Sequence, residues 1–228
     1  MKTCLAALLS VSLLAAAPQL PPGLAAQRAH WEGVDEMDGF RSITLDERFG
    51  DRVSQRVPLD PAVIGHHQLR CLKVLHKDFQ GRDRAGELIV HASLADEVLD
   101  IFRDLYQLGY PIEKLRLVDE YDFSDERSMA DNNSSGFNFR QILGGTELSN
   151  HAFGIAIDLN PVVNPYDAAE YVLPVGGLLY LDRDQPHKGI IRHGDDVYQI
   201  FISRGWEWGG DWTHVKDYHH FEKPAALG

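Results

Sequence analysis

The reading of the chain starts at Ser149-Asn150-His151-Ala152-Phe153-Gly154-Ile155-Ala156-Ile157-Asp158. A histidine and a carboxylate stand here with six residues between them, among small and apolar neighbours. Ile155, Ile157 and Leu159 alternate with Ala156, Asp158 and Asn160, the period of a strand. Asp158 is therefore expected on one face of a strand in an apolar setting, where a carboxylate is costly unless something pairs with it. A metal ion shared with His151 is such a partner, and Gly154 permits the turn that folds the histidine back over the strand.

A zinc site in a hydrolase usually takes three protein ligands and leaves the fourth position to water. The third candidate lies in Asp217-Tyr218-His219-His220-Phe221-Glu222, where a carboxylate precedes a histidine by three residues. That histidine would bind the metal and the carboxylate would handle a proton. Adjacent residues of a strand point to opposite faces, so only one of His219 and His220 is expected to join the site.

Outward from these motifs, the 228 residues suffice for one domain with a real core or two small ones. The formal net charge of -12 argues against nucleic acid and anionic membrane surfaces as partners. Lys2, the apolar run Leu5 to Ala17 and the small residues near Gly23 to Ala26 read as an export signal over residues 1–26. The run is short for a membrane span, so no stable span is expected after cleavage, and the chain is expected in the periplasm, at the cell wall or secreted. The mature chain then keeps only Cys71, which excludes a disulfide framework and suits a buried core thiol.

Residues 27–60 read as an N-terminal extension without assignable structure, ahead of a domain over 61–228. Pro61 to Phe79 has apolar residues near helical spacing and predicts a helix, on which His66 and His67 take packing or surface roles. Glu87 to His91 predicts a strand. Ser93 then opens a helix with Asp96 in the capping-box position, closed by Gly109 and Pro111. Leu115 to Tyr121 predicts a strand, Ser124 to Ser135 a loop or short helix, and Asp195 to Arg204 a helix closed by Gly205. Pro161 to Gly189 is an insertion rich in Pro, Gly and Asp, with a strand expected at Leu178 to Leu181. Trp206 to Trp212 suits a core corner, and Tyr218 to Glu222 a last strand. His30, His76, His91, His187, His193 and His214 follow no spacing pattern and read as surface or loop residues.

The first motif resembles the S-x-H-x-x-G-x-A-x-D signature of the zinc D-alanyl-D-alanine carboxypeptidases and L-alanyl-D-glutamate peptidases. Gly209-Gly210-Asp211-Trp212, followed by Asp217-x-x-His220-Phe221, is similar to the closing motif of that family. The resemblance runs from about Leu69 to Lys223 and is sharp in these two motifs. It implies an α+β fold of the zinc D,D-peptidase (hedgehog-like) type, with a small antiparallel sheet flanked by helices. It further implies zinc held by His151, Asp158 and His220, with Asp217 as general base. The substrate or oxyanion arginine of the family matches Arg127 first and Arg140 second, although the usual G-Y-R-S wording is absent.

The function so implied is hydrolysis of peptidoglycan stem peptides or a small peptide, by a D-Ala-D-Ala carboxypeptidase or an L-Ala-D-Glu endopeptidase. Two rivals stand beside it. One is a non-catalytic zinc-containing domain of the same fold that binds cell wall, which has no need of Asp217. The other is a zinc hydrolase for a different amide. The chain has no H-E-x-x-H, which argues against a thermolysin-like protease.

Overall fold

A computed structural model describes residues 39–227. The expected export signal, and the first part of the expected extension, lie outside the described residues.

The fold begins with β1 (Arg41–Thr44) and the short helices α1 (Leu45–Phe49) and α2 (Val53–Arg56). Thr44 caps α1 through a capping box with Glu47, which satisfies donors at both ends of the turn. β2 (Leu69–Lys77) and β3 (Asp83–His91) follow as a long hairpin, and β1 pairs antiparallel with β2. The helix expected over 61–79 is therefore a turn and then a strand. The reason is burial on both faces of this sheet. Leu72, Val74, Leu88 and Val90 face the main core, while Cys71, Leu69 and Ile89 face a second cluster with Leu45, Phe49, Val53 and Val57. A strand covered on both sides carries apolar residues at odd and even positions, so its period-2 signal vanishes. Cys71 is fully buried, as the sequence suggests, and burial pushes its thiol up to about 12. His76 is also buried, with its Nδ1 donating to the Ile112 carbonyl at 2.9 Å, rather than lying at the surface.

α3 (Ala95–Leu108) lies across the sheet and buries Val98, Leu99, Ile101, Phe102 and Leu105. Its first turn is approached through a 3-10 turn, and Leu94 rather than Ser93 holds the cap position, without a side-chain bond. Gly109 ends it in the left-handed conformation at φ +73°, and the Tyr110 N–H returns to Leu105 O at 3.0 Å. β4 (Lys114–Leu115) is shorter than expected, because residues 118–121 turn into a 3-10 helix. α4 (Asp125–Ala130) and β5 (Asn133–Ser134) follow, β5 running parallel to β4.

β6 (Ala156–Asp158) comes next, then β7 (Tyr166–Asp167) and β8 (Val172–Leu173) within the insertion. Residues 175–180 form a 3-10 helix where a strand was expected. α5 (Asp196–Ile202), capped by Asp195, precedes β9 (Glu207–Trp208), β10 (Lys216–Asp217) and β11 (His220–Glu222). The described chain is thus α+β, with three small antiparallel sheets, β1-β2-β3, β6-β11-β9 and β10-β7-β8, and the parallel pair β4-β5.

Phe221 joins the second sheet to the core. Its ring stacks on Phe201 of α5 at 3.9 Å, and its backbone pairs with Ile157 and Trp208. Burying a ring of this size contributes about 1.5–3 kcal/mol. Trp206 and Trp208 are core residues as expected, whereas Trp212 leaves the core for the site described next.

Candidate metal centre

Each ligand candidate is set by a short local device. Ser149 caps a 3-10 turn over Asn150–Phe153, and its hydroxyl accepts from the His151 N–H. Gly154 ends the turn at φ +69°, where a Cβ would fall 2.6 Å from the His91 nitrogen. That close approach lets Gly154 O accept from the His91 N–H at 2.8 Å, anchoring the motif on β3. β6 then carries Asp158 directly opposite His220 of β11 in antiparallel register.

His151, Asp158 and His220 are all buried, and their donor atoms all lie within 4.8 Å of one another. His151 Nε2 is 3.1 Å from Asp158 Oδ2, His220 Nδ1 is 3.0 Å from Asp158 Oδ1, and the two imidazole nitrogens are 3.2 Å apart. Tetrahedral zinc with ligands at about 2.0–2.1 Å needs donor atoms spaced by about 3.3 Å, so the trio fits that ion. The outer bonds fix which atoms face inward. His151 Nδ1 donates to the Gly136 carbonyl at 2.6 Å, leaving Nε2 for the centre. His220 Nε2 donates to Glu222 Oε2 at 2.9 Å, leaving Nδ1. Asn150 donates to the same Glu222 oxygen at 2.7 Å. Such partners orient ligands and raise their basicity.

The electrostatics favour a cation. Burial works against charge on Asp158, but His151 and His219 outweigh it and hold the carboxyl well below its usual range. Burial also opposes charge on His220, yet its hydrogen bonds to Asp158 and Glu222 push it up to about 10. For His219, the carboxylates of Asp217 and Asp158 overcome burial and push it up to about 9. Glu222 resists burial through its bonds to His220 and stays below its ordinary value.

His151, His219, His220 and Glu222 line an open cleft of about 470 Å³. Met129, Ile142, Leu143, Tyr166, Leu173 and Trp212 supply apolar wall. Trp212 lies 5.5 Å from the His220 ring. Asp217 also faces the cleft, on β10 opposite Tyr166 of β7, so the insertion braces the strand that carries it. Arg140 lines the cleft and pairs with Asp125 at 3.0 Å. Arg127, the first match for the substrate arginine, is not brought there. Its guanidinium binds Tyr121 O and Asp122 on the outer side of α4, at 2.6 and 2.7 Å.

His219 departs from expectation. Tyr218 and His219 form a turn between β10 and β11, so strand alternation does not separate the two histidines. His219 is buried in the site, with Nε2 2.9 Å from Asp217 Oδ1 and 3.8 Å from Asp158 Oδ2. Sequence reasoning also passed over Glu222, although its spacing of two from His220 on a strand signals a shared face. Asn150 and the Gly136 carbonyl carry no such signal.

Three buried donor residues that could hold a metal ion thus stand beside an adjacent carboxylate that lines a cleft. Residues 143–223 match the family model described as D-alanyl-D-alanine carboxypeptidase, a span holding both motifs. Over that span, about a third of the chain, the sequence is similar to D-alanyl-D-alanine carboxypeptidases. No curated protein and no solved structure matches the chain significantly. Among the described residues, no helix is long and apolar enough to cross a membrane.

Proposed function

We propose that the protein is an exported zinc peptidase, of the zinc D,D-peptidase fold type, that hydrolyses peptidoglycan stem peptides. The observation that carries this reading is the spacing of His151 Nε2, Asp158 and His220 Nδ1 beside Asp217 in an open cleft. His151, Asp158 and His220 would hold a zinc ion, whose chemistry when bound would be that of a Lewis acid that lowers the pKa of water. Asp217 takes the proton of the attacking water and returns it to the leaving amine. Arg140 anchors a peptide carbonyl or carboxylate from the cleft wall, exchanging part of its pairing with Asp125 for the substrate. Trp212, Leu173 and Tyr166 cover the peptide and limit bulk water around the reacting carbonyl. The apolar run Leu5 to Ala17 supports export to the compartment that holds this substrate.

The test is digestion of purified murein sacculi, with the released fragments identified by mass. Release of D-alanine marks a carboxypeptidase and cleavage after L-alanine an endopeptidase. Hydrolysis should cease with chelator, return with zinc, and be lost in Asp217→Asn while zinc is retained. Zinc binding without any hydrolysis by the wild type would favour the wall-binding rival, and undiminished hydrolysis by Asp217→Asn would remove the general base.

A further inference from the structure

The buried imidazole of His219 is not needed to complete the trio of ligand candidates, yet its placement is tightly fixed. Its Nδ1 donates to the Asn164 carbonyl at 2.7 Å. Its backbone carbonyl accepts from the Leu159 N–H at 3.0 Å. Asn164 is itself held through both its side-chain oxygen and its nitrogen. Its Oδ1 accepts from Arg183 at 2.6 Å and from the Ile191 N–H at 2.8 Å, and its Nδ2 donates to Gly189 O at 2.8 Å. The Arg183 guanidinium also lies over the Tyr218 ring at 4.4 Å, beside His219 in the chain. The insertion therefore locks the ring from behind.

With Nδ1 committed to Asn164, only Nε2 faces the cleft, 2.9 Å from Asp217 Oδ1. That oxygen is buried and makes no aligned hydrogen bond among the described residues, so the approach of Nε2 is an ion-pair contact. Both nitrogens of His219 thus face oxygen atoms, the Asn164 carbonyl on one side and Asp217 Oδ1 on the other.

We propose that His219 is a positioning residue for Asp217, holding the carboxylate in the orientation from which it exchanges a proton with the attacking water. The insertion at 161–189 has a role in this arrangement, because Asn164 and Arg183 set the ring that sets the base. This inference rests on the peptidase reading above. It differs from a ligand role, since the group whose donor atoms all lie within 4.8 Å of one another is His151, Asp158 and His220, without His219.

The experiment compares wild type, His219→Gln, His219→Ala, Asp217→Asn and the double variant Asp217→Asn/His219→Ala, each loaded with zinc, on a soluble stem-peptide substrate. Zinc content is measured on the same samples. His219→Ala should keep its zinc and lose roughly 10- to 100-fold in kcat, the range for outer partners of a metal site, with KM little changed. His219→Gln, which can still bond Asp217, should recover part of the loss. The double variant should be no slower than Asp217→Asn alone, because a residue that acts through Asp217 has nothing left to position. Loss of zinc in both His219 variants would make it a ligand and overturn the proposal. So would full activity in His219→Ala, or additive losses in the double variant. An inactive wild type with zinc bound would instead overturn the peptidase reading, and this inference with it.

Discussion

Asp158→Asn removes a buried charge that the surrounding histidines are built to face. His151, His219 and His220 all lie within 3.8 Å of the carboxylate, and the side chain is 2% exposed. In protein stripped of metal by chelator, the variant leaves the rings of His219 and His220, whose pKa values are raised, without their counter-charge. Breaking a buried pair by removing one partner costs about 3–5 kcal/mol. That is a large part of the ~5–15 kcal/mol that holds a domain folded. With a urea slope of about 2 kcal/mol per M, the unfolding midpoint should fall by about 1.5–2.5 M. The pH dependence has a definite sign. His219 and His220 have folded pKa values raised to about 9 and about 10, so their contribution is complete below their ordinary value near 6.5. It fades as pH climbs through the raised values. Asp158 has a depressed folded pKa, so its contribution is present above about pH 4 and lost as pH falls through the depressed value. The difference between wild type and variant is therefore greatest from about pH 4 to 6.5 and shrinks towards pH 10. Urea titrations of stripped wild type and variant at pH 6 and pH 9 measure it. Equal midpoints at pH 6, or a gap that widens at pH 9, would refute this electrostatic account.

Arg140→Ala should raise KM roughly tenfold, whereas Arg127→Ala, on the outer side of α4, should leave both constants unchanged; steady-state kinetics on a stem peptide separates them. Glu222→Ala frees His220 Nε2 and should weaken zinc affinity roughly 10- to 100-fold, read by competition with a coloured chelator. Gly154→Ala forces a Cβ to 2.6 Å from the His91 nitrogen at φ +69°, so it should destabilise the fold by more than the ~1–2 kcal/mol of left-handed backbone alone, measured as a lowered thermal midpoint.

The two motifs were legible because their chemistry is local. Ser149 to Asp158 carries its own cap, turn and strand, and the spacing from Asp217 to His220 places two groups on either side of the two-residue turn between β10 and β11. α3 and α5 were legible from their apolar stripes and from the glycines that follow them. β2 was not, because burial on both faces removes alternation and leaves a spacing that imitates a helix. β1 and α1 were missed because their apolar residues make sense only once a sheet exists for them to cover. Arg127 matched by its position along the chain, but the direction of a long side chain depends on neighbours such as Asp122 that the motif does not encode. His219 was excluded by a strand rule that fails because the residue sits in a turn. The long-range contacts that make it part of the site, with Asn164 above all, are invisible along the chain.

The most direct measurement is anomalous diffraction at the zinc edge from crystals grown with zinc. One peak is predicted at about 2.0–2.2 Å from His151 Nε2, an Asp158 oxygen and His220 Nδ1, with a solvent molecule in the remaining position. A peak coordinated elsewhere, one with protein donors filling all four positions, or no peak at the floor of the cleft would contradict the account.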